Sequence, residues 1–326
     1  MKKILSLLAV LLVAASLLAC GERTRVLRLA DIHADGYPTV VGALAFAEYV
    51  LRESNGSIRI EVFNNAVLGD ERTTMEMVQT GSLAFVRIGT NPLSAINPVM
   101  NALSMPFLFR DRAHMFSVLD GPIGDEMLTS LTSQNLLGLS WLDAGFRNFY
   151  NSQREIRTPA DMAGLRIRTQ ESALMMDMVR MLGASPTPMS MGEVYTSLQN
   201  GVIDGAENNW PSYVNAAHFE VAPFFTVNQH MAAPEMFLIN TQLWNSFSAA
   251  EQDIIKRGAL HGAQVQRRAW LEAEQHYENI ARAAGNTITV PTPAELQLFA
   301  DALMPLYDQP AYAQFAPIIE RIRNVR

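Results

Sequence analysis

The feature that most constrains this chain is an alternation of short apolar strands with helical segments near its start. Strand patterns at Arg25 to Ala30, Ser57 to Phe63 and Leu83 to Arg87 are separated by helical patterns at Pro38 to Ser54 and Asp70 to Gly81. Strands alternating with helices of this length predict a parallel, right-handed α/β unit. In such sheets ligands bind outside the carboxyl ends of the strands. Contacts are therefore expected in Asp31 to Tyr37, Leu68 to Arg72 and Arg87 to Asn91.

A second α/β unit begins near Arg147. Thr158-Pro159-Ala160-Asp161 reads as an N-cap, an N1 proline and an acidic N3, with Gly164 closing a short helix before a strand at Leu165 to Thr169. Ser190 with Glu193 is a capping box for a helix from Met191 to Asn200, which Gly201 ends before Val202-Ile203-Asp204-Gly205. Ser248 with Glu251 opens a helix running to about Ala284, too long for one small lobe and suited to bridging two. A chain of 326 residues exceeds what one core usually holds. The element order predicts a two-lobed fold with lobe I at 23–144 plus about 234–272, and lobe II at 145–233 plus about 273–326. There is neither an internal repeat nor a low-complexity linker.

At the amino terminus Lys2 and Lys3 precede an apolar run from Ile4 to Leu18, then Leu17-Leu18-Ala19-Cys20-Gly21. The run is shorter than a spanning helix needs, and it predicts a signal peptide at 1–19 ending in a lipobox. Cys20 is the only cysteine, so no internal disulfide can form. Its expected use is as a lipid anchor, holding the domain to a membrane in the periplasm or cell envelope. Removing 1–19 takes two lysines, so Lys plus Arg falls from 25 to 23 against 32 Asp plus Glu, a balance of −9. Such acidity argues against nucleic acid as partner. An anionic ligand stays compatible, because one or two buried arginines set local affinity.

Catalytic motifs are missing: there is no Gly-x-Ser-x-Gly, Gly-rich phosphate loop or His-Glu-x-x-His. The six histidines are scattered. These absences point away from an enzyme, with no cofactor and no metal expected; a two-carboxylate hydrolase is not excluded by sequence.

Several stretches together resemble the TRAP-transporter solute-binding proteins: Leu68-Gly69-Asp70-Glu71-Arg72, Ser104-Met105-Pro106-Phe107-Leu108-Phe109, Thr158 through Arg168, Gly183 through Met189, Glu193-Val194-Tyr195, and Val202 through Trp210. They fall in the family's order and spacing across essentially the whole chain after the signal. The resemblance implies two α/β lobes joined by strands and a long helix, closing on a small organic acid by a hinge motion. It also implies delivery to TRAP membrane permease subunits by a monomeric binding protein. A sensing lipoprotein without a transporter is the alternative of another class.

The family's central contact falls on Arg168, which would grip a ligand carboxylate with its planar fork. Periodicity alone leaves Arg168 open as a surface strand residue paired with an acid, since Arg166 shares its face. Arg147 matches a second family arginine one residue out of register, and Asn208 matches a ligand-binding asparagine that turn chemistry would equally explain. The chain departs from the family pattern in Asn209-Trp210 after Glu207-Asn208 and in Met191 after Ser190. Trp210 would stack on a sugar ring or sit in the core.

Ala30-Asp31-Ile32-His33, Val86-Arg87, Gly145 through Tyr150 and Glu207 through Tyr213 resemble the subgroup that takes hexuronates such as galacturonate and glucuronate. A uronate offers one carboxylate for Arg168 and hydroxyls for His33, Glu71, Arg87, Gln170, Asn208 and Asn209. A C4-dicarboxylate or 2-keto acid is the alternative ligand. Each of these residues also has a plainer use. His33 suits an ordinary loop, Glu71 suits the positive end of the helix at Asp70, and Arg87 suits a pair with Asp70 or Glu71.

Overall fold

The computed structural model describes residues 24–326. The signal segment and Cys20 therefore lie outside the described residues. Two sheets share the chain. The first has the order β2-β1-β3-β10-β4 and comprises β1 (Arg25–Ala30), β2 (Ile58–Phe63), β3 (Phe85–Gly89), β4 (Leu136–Leu142) and β10 (Glu235–Asn240). The second has the order β11-β9-β5-β8-β6-β7. Its strands are β5 (Phe146–Asn151), β6 (Arg166–Thr169), β7 (Ser185–Pro188), β8 (Gly205–Asn208), β9 (Phe224–Ala232) and β11 (Thr287–Thr289). The chain thus forms an α/β fold with a mixed sheet in each lobe.

The expected βαβαβ start is present. β1 pairs in parallel with β2 and β3, through α1 (Pro38–Glu53) and α2 (Glu71–Gln79). The third strand lies two residues later than periodicity suggests, because the burial run continues through Gly89. The capping signals hold as well. The Asp70 side chain accepts from the Thr73 amide to open α2, and capping boxes form at Thr158, Ser190 and Ser248. Two of the capped helices differ in form from expectation. Thr158 opens a 3-10 turn at Pro159–Met162, and Ser190 opens another at Met191–Glu193 that continues into α-helix only at Val194–Gln199.

The long helix, here α3 (Ala249–Ala283), runs 35 residues and has one end on each lobe. Its first half lies against α1 so tightly that a Cβ on Gly262 would sit 2.6 Å from the Gly42 carbonyl oxygen. Only glycine permits that approach. Ala281, near its other end, belongs to a core cluster with Tyr150, Tyr213 and Phe225 of the second lobe. The strand connections cross between lobes at β4–β5 and β9–β10. Gly145, in the first of these, has φ +61°, and a Cβ there would lie 2.4 Å from Glu274 Oε1 and 2.9 Å from Trp270 Nε1.

The C-terminal segment, expected wholly with the second lobe, touches both. The Tyr312 hydroxyl donates to Asp177 in the second lobe. Farther on, the last helix (Ala316–Arg323) reaches the first, where His114 Nε2 lies 3.0 Å from the Ile322 carbonyl and Arg321 pairs with Glu126. Its buried face of Ile318, Ile319 and Ile322 covers first-lobe core that 23–144 leaves open.

Candidate functional site

Carboxyl ends of strands from both sheets meet at a cleft. Ile32, His33 and Tyr37 follow β1, Asn65 and Ala66 follow β2, and Glu71 opens α2. From the second lobe come Arg168 and Gln170 at the end of β6, Met189 to Met191 after β7, and Ser212 after β8. They bound an outer cavity of about 320 Å³. An inner cavity of about 30 Å³ shares His33, Glu71, Arg168, Gln170 and Ser212 with it, and adds Arg87, Arg147, Asn208, Asn209 and Glu235. The larger space is of the size that small-ligand sites occupy, while the smaller one admits a single water-sized group.

Three buried arginines stand in this cleft with different partners. Arg87 is 1% exposed. Its Nη1 donates to Glu71 Oε1 at 2.7 Å, its Nη2 to Asp31 Oδ1 at 3.2 Å, and Glu235 Oε1 lies 3.3 Å from Nη1. Burial would lower its affinity for the proton, but Asp31, Glu235 and Glu71 outweigh that and hold the guanidinium firmly charged. The sequence expectation of Asp70 or Glu71 as partner is half met, because Asp70 is occupied capping α2. Arg147 is paired with Glu207, whose Oε1 accepts from Nη2 at 2.7 Å and whose Oε2 accepts from Nε.

Arg168 is 3% exposed and has no carboxylate within salt-bridge distance among the described residues. Its Nε and Nη2 both donate to the Met189 carbonyl oxygen, at 3.0 and 2.7 Å. Burial pushes its pKa down; Glu207 opposes this, and Arg147 adds to it. The surface ion pair that periodicity allowed for Arg168 is found instead at Arg166, which holds Asp204 in the open.

The remaining expected residues fall as follows. His33 stacks on Tyr37 with ring centroids 3.7 Å apart, and its Nδ1 lies 2.9 Å from Asp31 Oδ1. Burial and Arg87 lower its pKa, so the ring faces the cavity neutral. Gln170 accepts from Asn91 at 2.8 Å, bridging the lobes. The Tyr37 hydroxyl makes a second bridge, 2.8 Å from Ser212 Oγ. Asn208 accepts from the Asn209 amide, while its Nδ2 has only the Met191 sulfur at 3.7 Å. Asn209 is largely committed to structure, capping the next helix through the Ser212 amide and donating to the Ala144 carbonyl. Trp210 is a correction to the expected ligand set. It lies outside both cavities, stacked on Phe225 with centroids 3.8 Å apart, because as the first residue of that helix it turns into the second-lobe core.

Among the cavity residues not singled out in the sequence, two carry an unpartnered polar atom. Glu235 is 9% exposed with an unpartnered Oε2, and His218 is fully buried with an unpartnered Nε2, its Nδ1 lying 2.7 Å from the Tyr150 hydroxyl. Burial and Arg168 lower the His218 pKa to about 3. The sequence carries no local signal for either.

Comparison with known proteins places the whole arrangement. A solute-binding protein of Chromohalobacter salexigens is 34% identical over 292 residues, covering 90% of this chain and 86% of that protein. A TRAP periplasmic solute-binding protein from Roseobacter denitrificans, solved with bound β-D-glucuronate, superposes with a TM-score of 0.90 at 35% identity, covering 93% of this chain and all of that one. Another, from a Bradyrhizobium species and solved with bound α/β-D-galacturonate, gives 0.89 at 39% identity over 92% of this chain and all of the other. Residues 29–314 match the family described as bacterial extracellular solute-binding protein, family 7, and the chain belongs to that family of TRAP solute-binding proteins.

Proposed function

We propose that this protein captures a hexuronate such as glucuronate or galacturonate outside the cytoplasm and hands it to a TRAP permease, acting by binding and not by catalysis. The observation that carries this reading is Arg168: a buried guanidinium facing the cavity whose hydrogen bonds reach only a backbone carbonyl. A ligand carboxylate supplies the missing counter-charge, and the fork geometry favours two-point contact. Arg147 is then a supporting positive charge already neutralised by Glu207, and the Nδ2 of Asn208, held only by the Met191 sulfur, can donate to a further ligand oxygen. His33, Glu71, Gln170 and Arg87 border the same space and suit hydroxyls. A purely aliphatic acid would make no use of their remaining hydrogen-bonding capacity, each such bond being worth about 0.5–1.5 kcal/mol. Uronates bound in the Roseobacter and Bradyrhizobium relatives support the same ligand class. Anchoring through Cys20 after removal of 1–19 completes the proposal.

A thermal-shift screen against uronates, aldonates, C4-dicarboxylates and 2-keto acids tests it. A ligand at 100 times its Kd stabilises the fold by about 2.7 kcal/mol. A response to galacturonate or glucuronate supports the reading. A response only to a dicarboxylate or keto acid retains Arg168 and removes the hydroxyl-binding set.

A further inference from the structure

The cleft floor holds three arginines, Arg87, Arg147 and Arg168, and four carboxyl groups, Asp31, Glu71, Glu207 and Glu235. With all of them ionised the floor is net negative, the wrong sign for capturing an acid. One carboxyl is set apart from the other three. Asp31 accepts from Thr39, from the His33 amide and from Arg87. Glu71 accepts from Arg87 and the Gly89 amide, and Glu207 is matched by Arg147. Glu235 has only Oε1 near Arg87 Nη1, at 3.3 Å, and that Nη1 is already donated at 2.7 Å to Glu71. Its Oε2 is buried without a partner among the described residues.

Glu235 lines the inner cavity, a space that fits one hydroxyl, and carries the unpartnered oxygen into its wall. We propose that Glu235 is a specificity-determining residue that enters the cleft as a neutral acid and donates from Oε2 to a hydroxyl of the bound ligand. The inference rests on the sugar-acid reading above. A neutral Glu235 leaves the floor with three charges of each sign, so that Arg168 alone awaits an anion.

The surroundings agree with that protonation. Burial pushes the Glu235 pKa up to about 8; Arg87 on β3 opposes this, Glu71 at the start of α2 and Asp31 after β1 add to it, and Arg147 on β5 opposes it. Tyr37, before α1, is the other titratable group whose ionisation Glu235 disfavours. The sign follows: a group that must be protonated to donate supports binding below its pKa and withdraws that support as pH rises through about 8.

The test is calorimetric titration of the protein and of Glu235→Gln and Glu235→Ala with glucuronate and galacturonate, from about pH 6 to about pH 9.5. For the unsubstituted protein the affinity should hold steady at low pH and fall above about pH 8, approaching about tenfold per unit. Glu235→Gln, which still donates but cannot ionise, should flatten that profile while weakening binding less than about fivefold. Glu235→Ala should weaken it at least about tenfold at neutral pH. A flat profile in the unsubstituted protein, or a slope that survives in Glu235→Gln, overturns the inference alone. Failure of both uronates to bind the unsubstituted protein overturns the sugar-acid reading and takes this inference with it.

Discussion

Arg87 and Arg168 occupy facing walls of the same cleft, are equally hidden from solvent, and differ in company. Arg87 is surrounded by Asp31, Glu71 and Glu235, whereas Arg168 leans on one backbone carbonyl. A buried charge is tolerated only when paired. The first arginine is paired by the fold and so serves the fold, while the second is left for something that arrives later. Burial alone would not have separated the two; the partner set does.

The largest expected effect breaks the first side of the contrast. Arg87→Leu should destabilise the fold by about 3–5 kcal/mol, because the carboxylates around it lose their common counter-charge. Denaturant unfolding measures this, and a loss below about 1 kcal/mol would mean that the network is not structural. Next, Arg168→Ala should cost at least about 2 kcal/mol of ligand binding, while leaving thermal stability without ligand nearly unchanged. Calorimetry and melting curves on one preparation separate the two outcomes, and unchanged affinity would remove Arg168 from the site.

Smaller effects sharpen the picture. Asn208→Ala should weaken uronate binding by about 1 kcal/mol, the worth of a neutral hydrogen bond as against a charged one. Trp210→Phe should lower stability by about 1 kcal/mol through lost packing on Phe225. Its Kd should not move; a shift of tenfold or more would return Trp210 to the ligand.

Local signals made much of the fold legible. N-caps, proline at the first helical turn and period-two alternation are written in contiguous residues, and the βαβαβ start, the capping boxes and the span of α3 follow from them. Arg168 became visible through resemblance, since its spacing is equally that of Arg166, which lies on the surface. Glu235 escaped because nothing near it is special. It reaches the cleft only because β10 inserts between β3 and β4, a pairing with residues about a hundred or more positions earlier. His218 escaped for the same reason, facing Arg168 from a short helix with no periodicity of its own. Trp210 misled because its sequence neighbours Asn208 and Asn209 line the cavity, while the helix that begins at Trp210 turns the indole away. The last helix, expected with the second lobe, also reaches the first, because an apolar face says that something will be covered and not what.

The unbroken α3 has a mechanical consequence. At about 1.5 Å per residue its 35 residues form a rod about 52 Å long, joined along one half to α1 through the Gly42 and Gly262 contact. A rod fastened in this way acts as a fixed beam. Beside this beam the lobes are joined by two strand crossings, β4–β5 and β9–β10, and Gly145 stands in the first of them. Glu274 and Trp270 of α3 crowd against that glycine and leave no room for a side chain, so a single methyl group there would push the crossing off the beam.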